Sequence, residues 1–501
     1  MGSKNDDSPI GIPAFYAGRS VLVTGATGFM GKVLIEKLLR SCPDVREIFL
    51  LLRPKKNMPI DDRLRKMLSL PLFDKIRDER PGSFEKLIPV IGDVTKESLG
   101  LPMVERNVLI NRVSIVFHVA ASVRFDDSLK AAVFLNTRST RDICNLATQM
   151  TQLVALVHVS TTYSQADKSH VEEKIYTSDV DWKRTIKIAE NVDEHVLETL
   201  TPKFLGPFPN TYTFTKRLAE QVISDYSAVI PTVVFRPSIV ISTLAEPMKG
   251  WLDNFNGPVG MMVGGGKGVL RVLYCDAKTK ADFIPVDIAI KAMITACWKR
   301  GITTITKDPS VHVYNCSSAD TKNITLQELI NMGLKYNEQI PLEGCLWKPS
   351  TIRTNEKIVY YILMLFLHLL PAIFIDGLLK MSGRKPTLVK LQRKVYIANS
   401  ALKYFLMHEW YFENKGLQNL LTKVLPTDYE TFGYDYATFD IYTYFKHCLI
   451  GAKTYLLQED MKNLPQAKQH FRRMWWIDAG FKVWIGSIAV WFFIKALMRT
   501  I

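Results

Sequence analysis

Tyr212 and Lys216 stand four residues apart in NTYTFTK (210–216), at the start of a stretch whose pattern predicts a helix from Tyr212 to Ser224. At that spacing both side chains fall on one face, one turn from each other. A phenol beside an ammonium is a proton-transfer device. The free phenol titrates at about 10, and a neighbouring cation stabilises the phenolate and lowers that value toward neutrality. A hydride delivered to a carbonyl carbon leaves an oxyanion, which needs an acid within hydrogen-bond reach. Upstream, the apolar run Leu153 to Val159 ends in Ser160-Thr161-Thr162-Tyr163, a source of a hydroxyl that orients the carbonyl. Thr161 is the first choice, with Ser160 and Thr162 as alternatives. A lone YxxxK spacing recurs by chance; what gives this one weight is the company it keeps.

That company is a glycine turn. Thr24-Gly25-Ala26-Thr27-Gly28-Phe29-Met30-Gly31 follows the apolar run Val21 to Val23 and opens a stretch in which Met30, Leu34 and Leu38 share one face, with Lys32, Glu36 and Lys37 off it. Glycines at this spacing let the backbone turn sharply and approach a pyrophosphate, while the helix that follows points its first amides at the charge. Thr24, Gly25, Thr27, Gly28, Phe29, Met30 and Gly31 are therefore the expected dinucleotide cradle. The next strand, Glu47 to Leu52, ends in Arg53 rather than in an acid, with Lys55 and Lys56 behind it. A cation at that place favours a 2'-phosphate, so the expected cofactor is NADPH; a solvated strand end is the competing reading of Arg53. Asp93, directly after the strand Leu87 to Ile91, is placed to meet the adenine or to cap a helix. The small residues Ala120 and Ala121, after the strand Ser114 to Val119, suit backbone packed against the cofactor. His118 reads as structural, since nothing near it completes an acid–base pair.

Strand, helix and strand in regular alternation demand parallel pairing with right-handed crossovers. The expected fold class is thus α/β: a Rossmann-type doubly wound parallel sheet with a substrate subdomain, followed by a mainly α-helical C-terminal domain and a C-terminal membrane helix. The boundaries expected are a polar N-terminal segment (1–18), an NADPH-binding domain carrying the triad (19–300), a substrate subdomain or connection (301–357), a helical domain (358–470) and a membrane anchor (481–499). Between the sheet-forming stretches, the glycine-rich segment Trp251 to Gly268, interleaved with Phe255, Met261 and Met262, reads as a substrate lid.

The last third changes character. Ile358 to Leu370 is an apolar run broken only by His368 and closed by Pro371, Lys380 to Lys403 is basic, and Val483 to Ile494 is wholly apolar. A span needs about twenty apolar residues at ~1.5 Å each, and the last of these runs covers only roughly 18 Å at that rise. Lys482 and Lys495 extend it by snorkelling, and Trp484 and Trp491 suit the polar boundary, so a short tail anchor is feasible. The run 358–375 is expected in the interface or over an acyl tunnel.

With 47% hydrophobic and 23% charged residues in 501, the composition is globular, and the length suits more than one domain. The formal charge of +15 is not gathered into a nucleic-acid motif, so phosphorylated ligands and an anionic membrane surface are the expected partners, not nucleic acid. Seven scattered cysteines without metal-ligand spacing argue for a reducing compartment and against zinc or a disulfide framework. The first residues contain no apolar stretch resembling a secretory signal, and Asp6 stands where myristoylation after Gly2 expects Ser or Thr. A cytosol-facing catalytic part is expected.

At this point the sequence resembles the extended short-chain dehydrogenase/reductases, and within them the alcohol-forming fatty acyl-CoA reductases. The segments that carry the resemblance are TGATGFMGKVLIEKLLRSCP (24–43), FHVAASVRFDDSL (117–129), HVSTTYS (158–164), NTYTFTK (210–216), FRPSIV (235–240), GWLDNFNGPVG (250–260), DFIPVD (282–287), FDIYTY (439–444) and GAKTYLLQED (451–460). The resemblance spans nearly the whole chain and implies NADPH-dependent reduction of a long-chain fatty acyl-CoA to the alcohol through an aldehyde. It also implies an enzyme on the endoplasmic reticulum or peroxisome, with a homodimer as an arrangement to test. Members often have Ala where Thr162 stands, and the segment after Tyr163 diverges. A hydroxysteroid or sugar-nucleotide enzyme would share the triad but not GWLDNFNGPVG and the C-terminal region. A silent NADPH-binding membrane scaffold is the rival from outside enzymology.

Overall fold

The computed structural model describes residues 10–55, 58–303, 308–318, 321, 324–435, 437 and 439–500. Residues 1–9 of the expected N-terminal segment, and Lys56, lie outside them. Contacts divide the chain into two interleaved units: Met1–Lys249 with Asp282–Asn323 and Trp410–Phe439, and Gly250–Ala281 with Ile324–Glu409 and Asp440–Ile501. The sequential partition expected from the linear pattern therefore differs from the way contacts gather, because the chain leaves each unit and returns to it.

The first unit is built on seven parallel strands: β1 (Ser20–Thr24), β2 (Glu47–Leu52), β3 (Leu87–Ile91), β4 (Val113–His118), β5 (Ala155–Val159), β6 (Thr232–Pro237) and β7 (His312–Cys316). Their order is β7-β6-β5-β4-β1-β2-β3, which reverses direction of growth between β1 and β4. Strands β1, β4, β5 and β6 are wholly buried, as continuous Val/Ile/Leu/Phe runs covered by helices on both faces must be. The doubly wound α/β expectation holds, with boundaries of the early strands within a residue or two of those read from the sequence.

The helix Phe29–Ser41 departs from its amphipathic pattern. Its off-face residues Lys32, Glu36 and Lys37 are buried too. They are tolerated because they are paired: Arg40 bonds Glu36 at 2.7 Å, and Lys37 bonds Glu246 at 2.7 Å and the Thr431 carbonyl at 2.8 Å.

In the second unit the expected lid is instead largely a helix, Gly257–Gly266, with Trp251 and Met262 buried. A Cβ on Gly266 would lie 2.1 Å from Asn337 on the helix Leu326–Gln339, and one on Gly260 would lie 1.9 Å from the Phe255 carbonyl. These glycines thus permit close packing, which overrides their poor helix propensity. Pro371 does not close its helix either. A π-helical turn, Leu365–Leu369, leads into Leu370–Met381, giving a 25-residue helix from Lys357 to Met381. The wider turn absorbs the proline, which cannot donate to a regular ladder. Similarly, the tail run is not a short separate helix but the end of the 37-residue helix Leu464–Thr500. Its first half docks on the second unit, with Asp478 accepting from the Trp347 indole at 2.7 Å and Phe481 against the Trp347 ring. Beyond that point Val483, Trp484, Trp491, Phe492 and Phe493 are all more than half exposed. Both long helices are apolar enough to cross a membrane by length and composition.

Candidate active site

The carboxyl ends of β1, β4 and β5 meet at a row of registered residues, Thr24 beside His118 and His118 beside His158. Thr24 Oγ1 accepts from the Ala120 amide at 3.2 Å and lies 2.8 Å from His118 Nδ1. His118 Nε2 is 3.2 Å from Thr140 Oγ1, whose own proton is given to the Asn136 carbonyl. Thr140 must then accept, so Nε2 carries the imidazole proton and Nδ1 accepts from Thr24. Burial holds this ring neutral, lowering its pKa to about 3. His118 is a structural tie between the glycine-turn strand and β4, as expected. Neither ring nitrogen of buried His158 has a hydrogen-bond partner, and that ring is also held neutral by burial.

In the glycine turn, Gly25 has φ +73° and a Cβ on it would lie 2.7 Å from the Ala120 amide nitrogen. A Cβ on Gly31 would lie 2.3 Å from the Gly25 carbonyl, so this glycine lets helix and strand pack. Gly28 is the exposed one. It precedes the helix Phe29–Ser41 with no side chain capping the first amides and no acid in the first turn. An uncapped helix end behind a turn with side chains removed fits a pyrophosphate. Ala120 and Ala121 flank the turn, half-buried. Asp93 spends Oδ1 on the Thr95 amide (2.9 Å) and hydroxyl (2.8 Å), a local turn cap rather than a helix cap. Arg53 is exposed, and its carbonyl accepts from Arg63, whose other nitrogen donates to Thr27 Oγ1 at 3.0 Å. Desolvation and the Arg53 charge lower the Arg63 pKa. Arg63 went unnoticed in the sequence because it sits on a helix of ordinary charged pattern, Ile60–Leu68, at no motif spacing.

The triad residues come together. The helix Thr211–Tyr226 starts at Asn210, whose side chain caps the Thr213 amide at 2.9 Å. Tyr212 stacks on Phe125, ring centroids 6.0 Å apart, and Thr161 is the side chain that opposes the rise of its phenol pKa. Of the three hydroxyls after β5, Ser160 is turned to Glu220 at 2.5 Å and buried Thr162 Oγ1 has no partner, which leaves Thr161 as the one that acts on the phenol. Lys216 is buried with Nζ donating to the Val159 carbonyl at 2.7 Å. Burial lowers its pKa to about 7, with Glu220 opposing, while burial raises Tyr212 to about 12 with Thr161 opposing. The expected depression of the phenol by the ammonium is therefore absent here, because desolvation dominates at both groups.

A second set of residues escaped the sequence reading. Glu220, one turn beyond Lys216, accepts from Ser160, from Ser164 at 2.8 Å, and from Arg236 at 2.7 and 2.9 Å. Burial raises its carboxyl, but Arg236 and the two serines outweigh it and leave the pKa below the ordinary value. The signal was present in the i, i+4, i+8 series Tyr212, Lys216, Glu220 and in an arginine inside the β6 run, which burial obliges to find an acid. Asn136 likewise bridges the Ser122 amide (2.9 Å) and Thr215 Oγ1 (2.9 Å), joining the loop after β4 to the helix Thr211–Tyr226.

Family models described as male sterility protein match the chain twice, an NAD-binding one over residues 23–293 and a Sterile one over 367–459. The chain is 36% identical to fatty acyl-CoA reductase 1 of Gallus gallus, with 97% of each chain covered. It is 36% identical to fatty acyl-CoA reductase 2 of Mus musculus, with 92% of this chain and 89% of that one covered. Among solved structures, the terminal R domain of the myxalamid PKS-NRPS biosynthetic pathway superposes with a TM-score of 0.58 at 18% identity, covering 87% of this chain and 90% of that one, a likeness of fold. With a nicotinamide-cofactor domain and relatives matched end to end, this chain belongs to the fatty acyl-CoA reductase family.

Proposed function

We propose that this protein reduces long-chain fatty acyl-CoA to the primary fatty alcohol by way of the aldehyde, consuming two NADPH and releasing CoA. The observation that carries the reading is buried Lys216, bonded to the Val159 carbonyl at the end of β5 and one turn from Tyr212, in a chain of this family. Ligands of open α/β sheets bind there. Gly25, Thr27, Gly28, Phe29, Met30, Gly31, Ala120 and Ala121 would hold the dinucleotide, Asp93 would meet the adenine, and the Arg53–Arg63 pair would take the 2'-phosphate. Bound NADPH supplies the hydride in each reduction.

Thr161 holds the carbonyl oxygen and Tyr212 gives it a proton as negative charge develops, a contribution of about 10²–10⁴ in rate for a positioned general acid. In the first reduction the tetrahedral adduct returns its hydroxyl proton to Tyr212 and collapses, the C–S bond breaks, and CoA leaves as the thiolate, which takes a proton from water, giving the aldehyde. In the second the aldehyde oxygen keeps the Tyr212 proton and becomes the alcohol. Lys216 would hold the nicotinamide ribose. The tail beyond Phe481 would hold the enzyme on an intracellular membrane, endoplasmic reticulum or peroxisome, facing the cytosol, where seven free buried cysteines stay reduced.

The test is incubation of pure protein with palmitoyl-CoA and NADPH, with products identified by mass. Hexadecanol and free CoA at two NADPH per alcohol are expected; no turnover of any long-chain acyl-CoA would reject the reading. For cofactor choice, Arg53→Ala or Arg63→Ala should each weaken NADPH binding by about 1.5–3 kcal/mol and barely alter NADH. Equal losses for both cofactors would reassign the pair to the fold.

A further inference from the structure

The helix Lys357–Met381 is patterned inside out. Its buried residues, Tyr360, Met364, His368, Ala372 and Asp376, recur at every fourth position and form one stripe. That stripe holds His368 and Asp376, the strongly polar side chains between the terminal lysines. Both are fully used. His368 Nε2 accepts from the Arg271 and Val272 amides at 3.3 and 3.1 Å, so Nδ1–H donates to Gln392 at 2.7 Å. Asp376 accepts from the amides of Thr387, Leu388 and Val389 at 2.8–2.9 Å, capping the next helix, Leu388–Met407. On the outward side another fourfold stripe, Ile358, Ile362, Phe366, Leu370, Phe374 and Leu378, is apolar throughout and 43–75% exposed.

A helix on a protein in water buries its apolar stripe and shows its polar one. The reverse arrangement, polar groups turned inward and satisfied by protein while apolar groups face out, is the pattern of a helix whose solvent is lipid. The flank is electrostatically matched to a bilayer. From Gly377 to His408 there is no Asp or Glu, whereas Lys380, Arg384, Lys385, Lys390, Arg393 and Lys394 are exposed and form no ion pair among the described residues. A second copy of the chain would bring the same cations to the contact, and like charges oppose one another across an interface.

We infer that the pair of helices 357–407 is a membrane-docking element separate from the tail: the outward stripe of Lys357–Met381 lies in the plane of an anionic phospholipid leaflet, with Lys380, Arg384 and Lys385 at the headgroups. The helix does not cross, because the second unit holds its inner stripe from Tyr360 to Asp376. Its outer side chains enter the headgroup–acyl boundary to a depth of ~5–10 Å. This places a lipid contact on the body of the protein, whatever the tail does.

The experiment uses the full chain with benzoylphenylalanine in place of Phe366 or Phe374, reconstituted in phosphatidylcholine vesicles with or without phosphatidylserine and photolysed. The same probe at Phe492 reports the tail, and at Val229, exposed on the first unit, the background. Lipid adducts are expected at 366 and 374 and should increase with phosphatidylserine. In Lys380→Glu/Arg384→Glu/Lys385→Glu that increase should fall by roughly fivefold per charge, while adducts at 492 and acyl-CoA turnover in detergent persist. Adducts to a second copy, or none at 366 and 374 while 492 labels lipid, would overturn the proposal. Lipid labelling indifferent to phosphatidylserine and to the triple reversal would overturn its headgroup part. Loss of adducts at 492 alone would sink the tail anchor and leave this element standing.

Discussion

The helix Thr211–Tyr226 and the helix Lys357–Met381 use the same fourfold spacing to turn polar side chains inward, yet to different ends. On the first, Lys216 and Glu220 are sealed among buried neighbours, with Tyr212 heading the series. Burial, opposed by Glu220, leaves one group, Lys216, with its proton balanced at a pKa of about 7. On the second, His368 is satisfied by two backbone amides and Gln392 and Asp376 by three backbone amides, and the helix shows its apolar side outward. The lesson is that inward polarity marks chemistry only where a group is left with a proton to move. Where every donor and acceptor is satisfied within the protein, it marks an anchor.

The comparison is sharpest at Tyr212. Tyr212→Phe removes the proton donor and nothing that holds the fold, so alcohol formation should drop by ~10²-fold or more with NADPH affinity nearly unchanged. Retention of a tenth of the wild-type rate would show that the helix carries no general acid.

Glu220→Gln comes next in size, because it leaves Arg236 buried beside a neutral amide. A loss of about 3–5 kcal/mol is expected, read as a lowered denaturation midpoint. It also moves a titration. Glu220 raises the Lys216 pKa, so its removal lowers that value; since the ammonium fraction falls as pH rises through the pKa, the alkaline limb of kcat/KM should move to lower pH. A midpoint change with an unmoved pH profile would make Glu220 purely structural.

On the other helix, Asp376→Ala should cost about 0.5–2 kcal/mol, the worth of an N-cap, and Asp376→Asn less. Turnover measured in detergent should be preserved in both. A loss of kcat comparable to that of Tyr212→Phe would erase the distinction between the helices.

How far these roles could be read beforehand depends on the range of the forces behind them. The glycine turn at 25–31, the strand–helix alternation and the Tyr212–Lys216 pair rest on local rules of backbone turn, period and spacing, and the sequence displays them directly. A second glycine-rich stretch, 257–266, satisfies the same compositional rule and yet is a packing helix. Its glycines face Asn337 and Phe255, and only the neighbour decides what a missing Cβ is for.

By itself, then, the sequence determined the doubly wound sheet, the glycine turn, the one-turn spacing of Tyr212 and Lys216 and the apolar character of the two long helices, because each follows from residue types within a few turns of chain. Tertiary structure alone decided that Ser160 turns to Glu220, that Glu220 and Arg236 pair beside it, and that Arg63 joins Arg53 beside Thr27. It also decided which side of Lys357–Met381 is outside. These outcomes turn on burial and on partners distant in sequence. Desolvation sets the energy of a charge, and it depends on what the rest of the chain places around that charge.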